Sequence, residues 1–137
     1  MIRLYNDLDY DRINEIGSLI KDNFCNVYDI SNINDKNYAF IYVYEENNKV
    51  IGFIQIEKHF EITDIINIAV DENYQNKGIA TELIEFIKND VEEKIMLEVR
   101  SRNEAAIKTY EKNGFKVINI RKKYYGDDDA IIMEWVK

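Results

Sequence analysis

The sequence contains no proline, one cysteine, one histidine and five glycines among its 137 residues. Because Cys25 is alone, no internal disulfide can form, which fits a reducing compartment and predicts a cytoplasmic protein. One cysteine and one histidine cannot build a typical zinc site, so we expect no metal cofactor. A catalytic histidine could only be His59, which has no recognisable serine or cysteine partner, and we expect it at the surface.

Long hydrophobic runs are also missing. None approaches the roughly 20 residues that a membrane helix needs, and the opening residues MIRLYND lack the basic stretch and apolar core of a signal peptide. We therefore expect no membrane partner. Positive charge is scarce as well, since 18 Lys and Arg face 26 Asp and Glu, giving a net charge of −8. A general nucleic-acid binder needs a basic face, so we expect no nucleic-acid partner.

Hydrophobic residues, in contrast, make up 46% of the chain, too many for a disordered protein of this length. There is no linker rich in Pro, Ser or Gly, so we expect one domain spanning residues 1–137. The oligomeric state cannot be read from these features.

The most informative stretch runs from residue 65 to residue 89. Residues 65–70 (IINIAV) predict a buried strand, and residues 82–89 (ELIEFIKN) have the apolar spacing of a helix packed on a sheet. Between them lies a polar loop that ends in QNKGIA at residues 75–80. A helix that begins there directs unbonded amides and its positive dipole end at one point, which predicts an anion site, most naturally for phosphate. The alternative is that this strand, loop and helix form an ordinary crossover connection in which Gly78 has no function.

The rest of the chain predicts an α/β domain with a mixed, mostly antiparallel sheet of about seven strands flanked by helices. Strands are expected at residues 1–5, 38–44, 50–58, 61–70, 95–99, 115–125 and 130–136, the last two forming a hairpin. Helices are expected after the first, fourth and fifth of these strands. Residues 26–37 are polar and predict a loop with at most a short helix.

Three details of the helices can also be predicted. The first helix is expected to be capped by Asp7 or Asp9 and to carry one apolar stripe of Leu8, Ile13, Ile16, Ile20 and Phe24. The last helix is expected to open on the capping box from Ser101 to Glu104. It is expected to end at Asn113 and Gly114 in a left-handed cap.

Two common nucleotide motifs are absent: there is no G-x-G-x-x-G, and Gly78 is not followed by the Lys and Ser or Thr of a P-loop. The segment QNKGIA resembles instead the Q/R-x-x-G-x-G/A signature of the GNAT N-acetyltransferases, in which this loop holds the pyrophosphate of acetyl-coenzyme A. The preceding strand would pair with the pantetheine arm through backbone groups of Ile68 and Val70. The resemblance implies an acetyl-CoA site formed by Ile68, Ala69, Val70, Gln75, Asn76, Lys77, Gly78, Ile79, Ala80, Thr81 and Asn103.

The carboxyl-terminal half resembles one branch of that family, the bacterial ribosomal-protein-alanine N-acetyltransferases (the RimI type). The segments that carry the resemblance are LEVRSRNEAA at 97–106, YEKNGF at 110–115, IRKKYY at 120–125 and DAIIM at 129–133. The resemblance covers residues 65–133 well and the first 60 residues only in pattern. It implies an enzyme that transfers an acetyl group from acetyl-CoA to a primary amine by direct attack.

The resemblance implies catalytic roles for Glu98 and Tyr110. An attacking amine must lose a proton, which Glu98 would accept directly or through water, and Tyr110 would protonate the departing thiolate. A tyrosine with a pKa near 10 can donate to a thiolate with a pKa of about 8.5. The alternatives are that Glu98 is a strand-end carboxylate paired with Arg100 or a lysine, and that Tyr110 is a core aromatic.

The acceptor is the open question. An α-amine with a pKa near 7.8 is roughly one-seventh neutral at pH 7, whereas a lysine is neutral at well under 0.1%, which favours a protein N-terminus such as that of a ribosomal protein. A small amine (polyamine, amino acid or aminoglycoside) and a non-catalytic acyl-CoA-binding module are the alternatives. Tyr124 and Tyr125 are candidates for lining a peptide groove, with cross-strand aromatic packing as their other reading.

Overall fold

The computed structural model describes residues 1–22, 24–91 and 93–137. The strands are β1 (Ile2–Leu4), β2 (Ala39–Glu46), β3 (Lys49–Lys58), β4 (Ile62–Val70), β5 (Lys94–Arg100), β6 (Lys116–Arg121) and β7 (Ala130–Val136). The α-helices are α1 (Tyr10–Gly17), α2 (Phe24–Val27), α3 (Ile79–Lys88) and α4 (Glu104–Lys112). Short 3₁₀ turns lie at Asp7–Asp9, Ile33–Asp35 and Glu72–Tyr74. No helix within these described ranges is long and apolar enough to cross a bilayer.

The strands form one sheet in the order β1-β2-β3-β4-β5-β7-β6. Neighbouring strands are antiparallel except for β4 and β5, which are parallel. This confirms the predicted α/β domain with a mixed, mostly antiparallel sheet of about seven strands.

Two hydrophobic cores cover the two faces of the sheet. On one face, Leu83, Ile84 and Ile87 of α3 are almost completely buried against residues of β3 to β5 and β7. On the other face, α1 and α2 bury Ile13, Ile16 and Phe24 against the residues of β2 and β3 that point that way. Residue alternation along each strand therefore decides which side chains meet α3 and which meet α1.

The parallel strands β4 and β5 pair over only a short length. The paired residues run from Ile62 opposite Lys94 to Asp64 opposite Met96. Just beyond, the register of β4 with β3 shifts so that Ile66 has no partner, which is a β-bulge. A bulge bends its strand, so the carboxyl-terminal halves of β4 and β5 diverge and leave an open edge on β4. On its other edge, β5 pairs with β7 along its whole length.

The first helical region differs from the predicted single stripe. Helix α1 ends at Gly17, and Phe24 lies in the separate helix α2. Leu8 is 94% exposed and Ile20 is 42% exposed, so neither continues the buried stripe of Ile13 and Ile16. The physical reason lies at Gly17, where a Cβ atom would sit 2.6 Å from the Phe24 ring. The chain turns after Gly17 so that this ring can pack directly on the helix backbone.

The predicted cap of the first helix is confirmed only in position: Asp9 is the amino-terminal cap residue of α1, but its side chain makes no cap hydrogen bond there. Asn6, not Asp7 or Asp9, caps the preceding 3₁₀ turn by accepting a hydrogen bond from the Leu8 amide at 2.9 Å. The Asp9 carboxylate instead accepts from the backbone of Asn6 at 2.9 Å and from Arg3 at 2.8 Å.

The amino end of α4 is not capped by the Ser101 side chain of the predicted capping box. Asn103 rather than Ser101 is the cap, with its side chain accepting from the Ala106 amide at 3.2 Å. The predicted left-handed end at Gly114 is confirmed, with φ at +90°.

The end of the chain forms the predicted hairpin with different bounds. Strand β6 ends at Arg121 rather than at residue 125. Residues 122–129 form a connecting turn, which we call the β6–β7 turn. Residues 26–37 hold only the end of α2 and one 3₁₀ turn, as expected.

Candidate active site

The predicted anion loop follows β4 directly. The Gln75 side-chain amide donates to the Val70 carbonyl at 3.1 Å, which folds the loop back on the strand. Asn76 and Gly78 have positive φ values of 62° and 82°. Gly78 is the amino-terminal cap of α3, and its carbonyl accepts from the Glu82 amide at 3.0 Å. The amides of residues 79–81 therefore have no partner inside the helix, as an anion site requires.

An ion pair that the sequence did not reveal supports this loop. Arg12 of α1 donates through Nε to the Val50 carbonyl at 2.7 Å and pairs with the Asp71 carboxylate. The Asn73 amide and then Arg12 lower the pKa of Asp71. Arg12 and Asp71 are 59 positions apart in the sequence, and no local pattern links them.

The open edge of β4 carries two amides that point away from β3. The Asp71 amide donates to the Ile51 carbonyl of β3 at 2.8 Å. Because N–H groups alternate along an extended strand, the amide of Ala69 faces β3 and those of Ile68 and Val70 face the gap beside β5. The amides of Ile68 and Val70 can thus pair with an extended ligand, whereas the Ala69 side chain packs against the core under α1.

Glu98 lies on β5 where β4 has diverged from it. Its neighbours Leu97 and Val99 are buried in the α3 core, so alternation puts Glu98 on the opposite face. The Tyr125 hydroxyl donates to Glu98 Oε2 at 2.6 Å, and Arg121 Nη1 lies 3.9 Å from Oε1. Among the residues that the structure describes, the partners of Glu98 are therefore Arg121 and Tyr125, not the Arg100 or lysine considered from sequence.

Tyr125 is held from two sides. The Arg100 guanidinium lies 4.2 Å from the centre of its ring, close enough for a cation–π contact. Burial and then the hydrogen bond to Glu98 raise the pKa of Tyr125 to about 12. The Tyr124 ring makes an edge contact with the Tyr125 ring at 5.1 Å and is 56% exposed, with Arg121 over it at 5.6 Å.

Tyr110 lies on the inner face of α4 and is only 8% exposed. Its ring centre is 5.8 Å from that of Phe115, and burial raises its pKa to about 12. A phenol with this pKa keeps its proton at any physiological pH, so core packing and proton donation are compatible here. The two helices near it are joined by the Asn113 side-chain amide, which donates to the Thr81 hydroxyl at 3.2 Å.

A buried polar pair beside the bulge was also missed from sequence. Asn67 donates to Gln55 at 2.8 Å across β4 and β3, and both are under 8% exposed. The pair satisfies two polar groups in the core at the place where β4 begins to bend.

The remaining candidates lie outside this arrangement or at its rim. The Lys77 ammonium lies 5.4 Å from the Tyr74 ring at the anion loop. His59 is half-exposed, with Nε2 3.5 Å from Glu57 and 3.6 Å from Asp64. Among the residues that the structure describes, no group of three His, Cys, Asp or Glu side chains could hold a metal ion.

Fold and site together define a mixed α/β domain with an anion loop between β4 and α3. The chain belongs to the acetyltransferase (GNAT) family, whose sequence model matches residues 5–115. This confirms the family inferred from the loop at residues 75–80.

Two curated relatives are similar in sequence. The chain is 38% identical over 96 residues to the ribosomal protein bS18-alanine N-acetyltransferase of Escherichia coli K12, a match that covers 64% of this chain and 65% of that protein. It is 35% identical over 144 residues to the N-alpha-acetyltransferase of Saccharolobus solfataricus, covering 91% of this chain and 86% of that protein. The chain thus matches slightly less than two thirds of the E. coli relative.

Two solved structures are similar in fold. The E. coli ribosomal-protein-S18-alanine N-acetyltransferase superposes with a TM-score of 0.81 at 26% identity, covering 99% of this chain and 92% of that one. A putative streptothricin acetyltransferase from Bacillus anthracis, solved with acetyl-coenzyme A, superposes with a TM-score of 0.70 at 30% identity. That match covers 77% of this chain and 68% of the other.

Proposed function

We propose that this protein is an acetyl-CoA-dependent N-acetyltransferase that acts on the free α-amine of a protein N-terminus. One observation carries the proposal: β4 and β5 diverge beyond the bulge, with unpaired amides on the β4 edge and Glu98 on β5. Such a gap accepts an extended ligand as an additional strand and leaves a carboxylate close to its end.

The residues of the gap fit acetyl-CoA. The amides of residues 79–81 and the Lys77 ammonium suit a pyrophosphate. Gln75, Asn76 and Gly78 shape that loop through the hydrogen bond to Val70 and two positive φ angles. The amides of Ile68 and Val70 suit the amide groups of a pantetheine arm. When bound, acetyl-CoA supplies the activated acetyl thioester.

Glu98 and Tyr110 take the two proton-transfer roles. Glu98 accepts a proton from the amine, directly or through water, and general-base catalysis of this kind is worth roughly 10²- to 10⁴-fold in rate. Tyr110 remains protonated because burial raises its pKa to about 12, so it can donate to a leaving thiolate. Asn103, which caps α4, holds the amino end of the helix that carries Tyr110.

A protein N-terminus is favoured as the acceptor by two arguments. An α-amine is far more often neutral at pH 7 than a lysine, so it needs less help from a single carboxylate. One curated relative is named an N-alpha-acetyltransferase and matches 91% of this chain, and the other is named a ribosomal protein bS18-alanine N-acetyltransferase. Tyr124 and Tyr125 are proposed to line the acceptor side, where Tyr124 is exposed. The exposed free thiol of Cys25 fits action in the reducing cytoplasm.

A small amine is the second candidate acceptor. The structure solved with acetyl-CoA is that of a putative streptothricin acetyltransferase, and it is 30% identical to this chain. A non-catalytic acyl-CoA module is less well supported, because Glu98 and Tyr110 are both present.

The deciding experiment measures coenzyme A release from acetyl-CoA with a panel of acceptors. The panel holds peptides with free N-termini, including one that begins with alanine, the same peptides with blocked N-termini, lysine-only peptides and small amines. Turnover with free N-termini that blocking abolishes supports the proposal. Turnover with small amines alone supports the second candidate, a small-amine acetyltransferase. Binding of acetyl-CoA without any turnover contradicts the enzyme assignment for these acceptors.

A further inference from the structure

Asp128 is a buried carboxylate to which the reaction described above gives no role. It lies in the β6–β7 turn and is only 2% exposed. Its Oδ2 atom has no hydrogen-bond partner in the described part of the chain, and the closest cation is Arg102, whose Nε is 4.0 Å away. Burying a carboxylate is costly unless hydrogen bonds compensate, so the bonds that Asp128 does make indicate its role.

The other oxygen of Asp128 joins the turn to the end of β5. Oδ1 accepts from the Ser101 hydroxyl and from the Asp129 amide, the latter at 3.0 Å. The Ser101 amide in turn donates to the Asp129 carbonyl at 3.0 Å. Ser101 follows directly after β5, so these bonds fix the turn against the strand that carries Glu98.

The same carboxylate residue also holds Tyr125. The Tyr125 amide donates to the Asp128 carbonyl at 3.0 Å, which closes the turn. From that position the Tyr125 hydroxyl reaches Glu98 at 2.6 Å. Three hydrogen bonds therefore connect Ser101, Asp128, Tyr125 and Glu98 in series. The series begins just after β5 and ends on β5.

We propose that Asp128, bound to Ser101, is a positioning residue that holds the β6–β7 turn so that Tyr125 stays hydrogen-bonded to Glu98. Asp128 acts through other residues and does not touch the reacting atoms. The inference rests on the proposed function, because the value of a fixed Glu98 lies in proton transfer. With the Tyr125 donor held on Oε2, Oε1 remains for the amine or its water, because Arg121 Nη1 lies 3.9 Å from it, beyond hydrogen-bond distance.

The turn itself supplies matched variants. Asp128→Ala removes the link to Ser101, whereas Asp128→Asn keeps an oxygen that can accept from Ser101 and from the Asp129 amide. Ser101→Ala removes the same link from the other side and is a second route if Asp128→Ala folds poorly. Asp127→Asn is the control, because Asp127 is an exposed neighbour that pairs only with Arg102 among the described residues.

Two measurements are made on each variant. The first is kcat and KM for a peptide α-amine across pH. The second is NMR of ζ-¹³C-labelled tyrosine, in which the Tyr125 resonance is assigned by Tyr125→Phe. In the wild type we expect the Tyr125 phenol to titrate near its raised pKa of about 12.

We expect Asp128→Ala and Ser101→Ala to lower kcat about tenfold while acetyl-CoA affinity stays within twofold. Their Tyr125 titration should fall toward the ordinary pKa near 10. Asp128→Asn should recover most of both losses, and Asp127→Asn should stay within twofold of wild type. The double variant Asp128→Ala/Tyr125→Phe should lose little more kcat than either single variant, since both changes break the same series of hydrogen bonds.

Two results overturn the inference: an unchanged kcat in Asp128→Ala and Ser101→Ala, or an unchanged Tyr125 titration in both. If the wild-type protein turns over no acceptor, the proposed function is contradicted, and Asp128 then has no role in catalysis. The tyrosine titration still decides in that case whether Asp128 holds Tyr125 on Glu98.

Discussion

The Tyr125 hydroxyl donates a 2.6 Å hydrogen bond to Glu98 across the gap between the β6–β7 turn and β5. Tyrosine is a donor here and not a base, because its pKa is raised to about 12. The bond therefore persists over the whole physiological pH range. It makes the proposed general base and the proposed acceptor-side tyrosine parts of one unit.

Tyr125→Phe removes this donor and keeps the ring that Arg100 contacts. The bond fixes the Glu98 carboxylate relative to the amine, so without it kcat should fall about three- to tenfold. Tyr124→Phe is the matched control, since no hydrogen bond from its hydroxyl to Glu98 is found. An unchanged kcat in Tyr125→Phe, or an equal loss in Tyr124→Phe, would count against the unit.

Tyr110→Phe tests the proposed proton donor against its packing role. We expect kcat to fall about 10- to 100-fold while the ring contact with Phe115 is kept. Tyr5→Phe is a close control, because Tyr5 is also buried and burial also raises its pKa to about 12. Only Tyr110→Phe should lower kcat. Equal rates in the two variants would leave Tyr110 as a core aromatic alone.

The same two tyrosines predict how stability depends on pH. In the folded state their phenols hold their protons up to a pH of about 12, whereas in the unfolded state a tyrosine loses its proton near pH 10. The folded state binds more protons in this window, so its stability is complete below pH 10 and falls between pH 10 and 12. Tyr110→Phe and Tyr5→Phe should each make this loss of unfolding free energy smaller, by at most about 3 kcal/mol. Urea unfolding at pH 8, 10 and 11 measures it.

Gly78→Ala tests the anion loop. Gly78 has φ at +82° and open space where a Cβ would go, so the substitution strains the backbone by about 1 kcal/mol without a clash inside the protein. Gly126 has φ at +78° and the same open space, which makes Gly126→Ala the matched control for strain. We expect both variants to lose similar stability, and only Gly78→Ala to weaken acetyl-CoA binding, by about tenfold in calorimetry. Equal acetyl-CoA affinity in the two variants would remove Gly78 from the site.

Local sequence patterns predicted much of this molecule because they act over short distances. The strand, loop and helix around Gly78 show apolar periodicity and turn chemistry within 25 residues, and the order of strands and helices along the chain follows from such elements. Pairs such as Arg12 with Asp71 and Gln55 with Asn67 join distant segments, so no local pattern contains them. The bond between Tyr125 and Glu98 belongs to this second group, although both residues were selected individually.

The amino-terminal helix shows why a correct periodicity can still mislead. Ile13, Ile16, Ile20 and Phe24 have helical spacing, yet α1 ends at Gly17. The deciding interaction is the contact between the Gly17 backbone and the Phe24 ring, which helical spacing does not encode. Tertiary packing of a large ring thus outweighs the continuation of one helix.

Gly17→Ala should test that contact directly. By helix propensity alone the change would stabilise α1 by about 1 kcal/mol. The new Cβ, however, would lie 2.6 Å from the ring of Phe24, which is 1% exposed and has no room to withdraw. Overpacking of this kind costs about 1–3 kcal/mol, so we expect net destabilisation in urea unfolding.

Two further variants separate the clash from other effects. Ser18→Ala changes the neighbouring exposed position without a clash, and it should stay within about 0.5 kcal/mol of wild type. Phe24→Leu removes the ring, so Gly17→Ala should cost less in that background than in the wild type, a non-additivity expected of residues in contact. If Gly17→Ala stabilises the protein, the ring yields to the new methyl group, and the end of α1 then needs a cause other than Phe24.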